Sequence, residues 1–193
     1  MPGPNWIPFV SQIKSGFQVL TGDFKGALQT QKDFLQECPV VSQATSTVQL
    51  VAGDPEGAVK TQKRCLNTVS NVANGTPGVG HLKGIVHYAC GDEEGGDRAM
   101  NSATRSTVVI GSGAIATVTT GGVGAIPAAI LAGTAYDTAG TAITNKPQGS
   151  LAVIDNFIDD PDSGKLFDIG HAYYSDGKKG KGIRFSSCQI LTY

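Results

Sequence analysis

The sequence predicts a mainly α-helical protein in which helical hairpins pack around a Gly/Ala-rich helical hairpin, with a small extended or β segment at the C-terminus. Three observations predict it. A block of residues in the N-terminal third returns 31 positions later. The run from Ser106 to Tyr136 carries no charged residue and is built of Gly, Ala, Val, Ile and Thr. Composition adds the third: 26 glycines, 40% hydrophobic and only 16% charged residues suit a folded chain whose core relies on small side chains. At 193 residues the chain fits one domain with an appendage, enough to bury about 70% of its unfolded surface. The division is a helical domain over 1–145 and a C-terminal extended segment over 146–193.

The repeat, within 15–73, justifies the first helices. Gly22-Asp23-Phe24-Lys25-Gly26-Ala27-Leu28-Gln29-Thr30-Gln31-Lys32 returns as Gly53-Asp54-Pro55-Glu56-Gly57-Ala58-Val59-Lys60-Thr61-Gln62-Lys63. A weaker third copy is Gly91-Asp92-Glu93-Glu94-Gly95. Glycine ends one helix in the left-handed conformation, and the aspartate after it caps the next. Pro55 suits a first helical turn. Ala27, Leu28, Gln31, Phe34 and Leu35 share one face, as do Ala58, Val59, Gln62, Leu66 and Val69, and both rows read as core. Pro39 and Asn74-Gly75-Thr76-Pro77-Gly78 end the copies. Helices are therefore predicted at 8–21, 23–37, 40–52, 55–73, 79–90 and 94–110. The Gly-Asp turn before an Ala-containing helix resembles that of tetratricopeptide-like repeats. The resemblance stops at the turn, because the period and the Trp and Tyr positions differ, so it implies no peptide-binding residues.

The uncharged run supplies the central hairpin, 98–144. Gly121-Gly122 splits it into arms of about 98–120 and 123–144. Small residues at Gly113, Ala116, Thr117 and Thr120, and at Ala125, Ala128, Ala129, Ala132 and Gly133, let two backbones approach closely. Each arm is short for a membrane span and dotted with hydroxyls, so the hairpin reads first as buried, and second as a membrane-inserting element over 106–136. Arg105, just before the run, needs a carboxylate from Asp92, Asp97 or Asp137.

His81, His87 and Cys90 invite a metal or nucleophile reading. His87 and Cys90 are spaced to share a helix face, but a zinc site normally needs four ligands and no orienting partner or oxyanion hole is marked. No catalytic, cofactor-binding or metal-binding residue is assigned. The block His81 to Asp92, with His87-Tyr88-Ala89-Cys90-Gly91-Asp92, then Ser102-Ala103-Thr104-Arg105, the glycine run and Asp137, resembles a segment shared by a group of animal proteins without an established activity. The resemblance covers about 80–149, implies a domain centred on the hairpin and lends no site residues.

After Asn145-Lys146-Pro147-Gln148-Gly149, composition changes. Leu151-Ala152-Val153-Ile154 reads as a short helix or strand, Asp159-Asp160-Pro161-Asp162-Ser163-Gly164 as a solvated turn without calcium-loop spacing, and Ser175-Asp176-Gly177-Lys178-Lys179-Gly180-Lys181-Gly182 as a basic loop between the two sides of a β-hairpin or arm. Apolar ends such as Ile190-Leu191 and Tyr193 suit an arm reaching a neighbour.

Function follows from what is missing as well as what is present. A net charge of −1 argues against a nucleic-acid binder, which needs a basic face to meet phosphates. The start Met1-Pro2-Gly3-Pro4-Asn5-Trp6 has no cationic stretch followed by an apolar run, so no secretory signal is visible. Cys38, Cys65, Cys90 and Cys188 lack a CxxC pair and allow three connectivities; with the Asn74-Gly75-Thr76 sequon they lean the reading toward an extracellular setting. The leading expectation is a non-enzymatic, self-assembling structural protein, its partner a second copy of itself, in an extracellular matrix or biomineral filament. The alternatives are membrane insertion by 106–136 and a Cys90/His87-dependent enzyme.

Overall fold

The computed structural model describes the backbone of residues 4–190 and the side chains of 5–179. The protein is all-helical: after a 3-10 turn at Pro4–Trp6 come α1 (Pro8–Leu20), α2 (Phe24–Glu37), α3 (Pro39–Val51), α4 (Pro55–Asn74), α5 (Val79–Ala89), α6 (Glu93–Thr120), α7 (Ala125–Thr144), α8 (Gly149–Asp159) and α9 (Ser163–Ile190). There is no strand among the described residues. Two compact units divide the chain: residues up to 73 with 161–168, and residues 74–160 with those from 169 onward.

The helix starts follow the Gly-Asp turns. Gly22, Gly53 and Gly91 take positive φ of 82°, 81° and 79°, which glycine reaches without a Cβ penalty. Asp23, Asp54 and Asp92 then accept from the backbone N–H of Gly26, Gly57 and Gly95 at 2.8, 2.8 and 2.9 Å. Each such cap contributes about 1 kcal/mol. A Cβ on the glycine three residues on would press on the capping carboxylate, which would have to shift to admit it.

Within the first unit, α1 packs on α2 through a ladder of polar bonds. Gln31 Nε2 donates to Ser15 Oγ at 2.7 Å, Thr30 Oγ1 to Gln18 Oε1 at 2.7 Å, and the Gln12 and Gln31 amides exchange bonds of 3.3 and 3.1 Å. The same bonds recur 31 positions on: Gln62 to Ser46 at 2.7 Å, Thr61 to Gln49 at 2.9 Å, and Gln43 with Gln62 at 3.2 and 3.0 Å. In the second unit, the matching positions of α5 and α6 hold Gly84, His87, Ala99 and Met100, and Gly84 lies directly on the Met100 side chain. Close contact there replaces hydrogen bonding.

The faces are where the structure departs most from the sequence pattern. The inward residues are Ala27, Thr30 and Gln36 on α2, and Ala58, Thr61, Cys65, Thr68 and Asn74 on α4. Leu28 is 73% exposed and Leu66 65% exposed, and Leu35, Val59 and Val69 also face outward, contrary to the predicted core rows. The buried apolar side chains among the described residues are alanines, Cys38, Cys65 and Val109. Small and hydroxyl-bearing residues let the backbones close up and satisfy one another, and no room is left for a leucine between them.

Two further expectations are corrected. The segments 94–110 and 98–120 are one helix, α6, because nothing between them stops a helix: Gly96 packs under the Tyr88 ring and stays helical. The C-terminal part is α8 and α9 rather than an extended or β segment. Asp162 caps α9 by accepting from Lys165 N–H at 2.8 Å. Gly177, in the predicted loop, sits within α9 against Ile126, where a Cβ would meet Ile126 Cγ2 at 2.8 Å. Residues 191–193, part of the predicted apolar arm, lie outside the described residues.

Candidate functional site

The most heavily built part of the second unit is a buried charge cluster. Arg105 of α6 follows the small-residue face Gly96, Ala99, Ala103, which brings its guanidinium between α7 and α9. Its Nε and Nη2 donate to the Asp137 carboxylate at 2.6 and 2.8 Å, and its Nη1 and Nη2 to Asp176 at 3.1 and 2.9 Å. Asp137 and Asp176 are almost completely buried. Burial works against the Arg105 charge, but the two carboxylates outweigh it and raise its pKa. Lys179 Nζ stands 3.9 Å from Asp176, and burial lowers its pKa.

Glycines make the room. A Cβ on Gly133 would meet Asp176 Oδ2 at 2.8 Å, and one on Gly149 would strike the Asp137 carboxyl group. Asp137 also accepts from Ser150 N–H at 2.8 Å and Ser150 Oγ–H at 2.7 Å, so it caps the start of α8. One carboxylate thus joins α6, α7 and α8, and Asp176 adds α9. With Arg105 and Lys179 against two aspartates, the charges balance. The Ser150 hydroxyl donates to a carboxylate that Arg105 already holds, so it lacks a free base to make it a nucleophile.

Beside the cluster, a groove of about 840 Å³ runs along α5, α6, α7 and the start of α8. Its rim is locked by a chain of bonds. Tyr136 Oη donates to Asn101 Oδ1 at 2.7 Å, Asn101 Nδ2 to Gln148 Oε1 at 2.9 Å, and Gln148 Nε2 to Thr144 Oγ1 at 2.9 Å. Opposite, Tyr88 Oη donates to Asp97 at 2.6 Å, a bond that raises the Tyr88 pKa. Burial does the same for Tyr136. These polar groups satisfy one another, so the groove offers few unsatisfied atoms to a ligand.

The chain matches no family model, no curated protein and no solved structure. What it can do therefore rests on its own residues.

The histidines singled out from the sequence make local contacts at the two ends of α5. His87 Nδ1 lies 2.7 Å from Asp92 Oδ2, a cap contact rather than a pairing with Cys90. The Asp92 pKa is lowered by the Gly95 N–H and then by His87. His81 accepts from Gly78 N–H and faces Thr104 Oγ1, both at 3.3 Å. Among the described residues no three His, Cys, Asp or Glu side chains gather around a point that could hold a metal ion. Asn74 of the sequon is buried. Arg105 pairs with Asp137, one of the three partners expected, and with Asp176, which the sequence reading placed in a loop. Nothing beside Asp176 in the sequence marks it as buried, because its cation stands on α6, 71 residues away.

Cys38 and Cys65 are buried free thiols and Cys90 is an exposed one; the Cys188 side chain lies outside the described residues. In a Cys188→Ser variant, a thiol-specific chromogenic reagent is expected to react quickly with Cys90 alone, with Cys38 and Cys65 following only on unfolding. Fast reaction of all three would contradict this packing.

Proposed function

We propose that the chain is a non-enzymatic scaffold protein that assembles with copies of itself. One observation carries the reading: large aliphatic and aromatic side chains point outward along nearly every helix, among them Phe9, Leu20, Phe24, Val51 and Leu131, while the interior is small and polar. Soluble monomers rarely leave extended apolar surface in water, because about 25 cal/mol is recovered for each Å² covered. A net charge of −1 opposes association very little. The finer architecture, repeated hairpins around the Gly/Ala-rich hairpin 98–144, belongs to this proposal, supported by the polar ladder that recurs between α1–α2 and α3–α4. So does an extracellular matrix or biomineral setting, for which the accessible Cys90 offers a crosslinking point. Light scattering across a wide concentration range tests it: mass that grows with concentration supports assembly, and a constant monomer mass refutes it.

A second reading has its own observation. Around the Gly121-Gly122 turn, Ile115, Val118 and Val123 are exposed at the tip of the uncharged α6–α7 hairpin. Among the described residues no helix is long and apolar enough to cross a membrane. A tip that only dips into the interface needs no such length. Flotation with lipid vesicles would reveal it, and a protein left at the bottom of the gradient would end it.

A further inference from the structure

Four buried side-chain oxygens among the described residues have no hydrogen-bond partner, and three of them belong to the first unit: Asn5 Oδ1, Gln36 Oε1 and Glu37 Oε2. Asn5 and Gln36 are nine-tenths buried. Asp33 ties these residues together. Asn5 Nδ2 donates to Asp33 Oδ2 at 3.2 Å, which holds the oxygen of the same amide beside that carboxylate. Glu37 follows Asp33 by one turn of α2. Arg64 of α4 donates to Asp33 Oδ1 at 3.0 Å. The 31-residue offset carries Asn5 to Gln36 and Asp33 to Arg64, so Gln36 has in the second copy the place that Asn5 has in the first. Burial raises the Glu37 pKa, as does the Asp33 charge, while Arg64 and Lys14 lower it.

All three orphan atoms are acceptors, so the missing partner must bring positive charge or hydrogen, since a buried acceptor left unpaired is costly. Charge points to a single positive unit. Asp33 has Arg64, and Asp168 has Lys14 at 2.7 Å. Glu37 has no ion pair among the described residues, which leaves one negative charge over. Two of the three oxygens are neutral amides, and carbonyl oxygens are what replace the hydration shell of an alkali ion. Calcium and magnesium sites draw more on carboxylates. Gln36 and Glu37 also end α2, where the last carbonyls lack helical partners and the helix dipole is negative.

We propose that Asn5 Oδ1, Gln36 Oε1 and Glu37 Oε2 bind one alkali-metal cation, sodium or potassium, at the C-terminal end of α2. The ion fastens the 3-10 turn Pro4–Trp6 to α2. The site belongs to the single chain and does not depend on assembly.

Thermal unfolding of the full chain tests it, in sodium, potassium and choline chloride at equal ionic strength. Choline is too large for the site and controls for screening. The variants are Glu37→Gln and the control Glu56→Gln, an exposed acid of α4. The parent and Glu56→Gln are expected to melt about 2–4 °C higher in sodium or potassium chloride than in choline chloride, and Glu37→Gln to melt alike in all three. A parent that melts alike in all three salts overturns the inference, and the orphan oxygens then take ordinary water. An equal gain in Glu37→Gln overturns it too, by placing the ion elsewhere. A gain on adding calcium chloride alone overturns the charge argument and with it the alkali site. If Glu37→Gln does not fold, thallium(I) NMR on the parent decides: a line shifted by the protein and restored by excess potassium is expected, and an unmoved line overturns the inference.

Discussion

Replacing Arg105 with methionine is expected to destabilise the chain by about 3–5 kcal/mol, the loss seen when one partner leaves a buried ion pair. Methionine fills a similar volume, so the loss comes from charge. Asp137 and Asp176 would stay out of water, with Ser150 on Asp137 and Lys179, 3.9 Å from Asp176, as their remaining partners. Urea unfolding followed by circular dichroism measures it. Adding Asp137→Asn and Asp176→Asn to Arg105→Met is expected to restore much of the stability, because the uncompensated charges leave with their partner. A loss below about 1 kcal/mol in the single variant would mean that the cluster does not tie these helices together.

The second large effect is expected at Gly80. A Cβ there would strike the carbonyl oxygen of Asn74 and come within 2.8 Å of Ala103 Cβ, and neither backbone nor alanine can swing aside. Gly80→Ala is expected to cost about 1–3 kcal/mol through overpacking, although alanine is the better helix former. Gly111→Ala is the internal contrast, since its new methyl group meets open space, and a gain of up to about 1 kcal/mol is expected. Thermal unfolding of the two variants side by side checks the difference. Equal shifts would show that the close approach of α5 to α6 is not what Gly80 permits.

Much of the helical order was legible because its punctuation is local. Gly22-Asp23, Gly53-Asp54 and Gly91-Asp92 carry both the end of one helix and the cap of the next, so their boundaries fall within a few residues of expectation. The faces were not legible. A helical periodicity of Leu28, Leu35, Val59 and Leu66 identifies a stripe but not its destination, and here the neighbouring stripe of Ser, Thr, Gln and Ala goes inward. The tail was misread for a related reason. Gly177 looks like a loop residue, yet its missing side chain is what lets α9 lie against Ile126. Of the candidate cluster, the cost of burying a charge predicts a carboxylate for Arg105 from among Asp92, Asp97 and Asp137, and the structure supplies Asp137. Asp176 was not legible, because its partner is supplied by a helix far away in sequence.

The Gln–Ser–Thr ladder has a calorimetric consequence. The heat capacity of unfolding rises with newly wetted hydrocarbon and falls with newly wetted polar surface. In α1 to α4, unfolding releases hydroxyls and amides such as Ser15, Thr30, Ser46 and Thr61, while the aliphatic groups are already wet. The expected increment is thus below the 12–15 cal/mol/K per residue, roughly, of ordinary domains, giving a broad stability curve that cooling barely bends. Differential scanning calorimetry reads this directly. At dilution an increment below the ordinary range belongs to the separate chain, and a rise toward that range at high concentration reports aliphatic faces that have found cover.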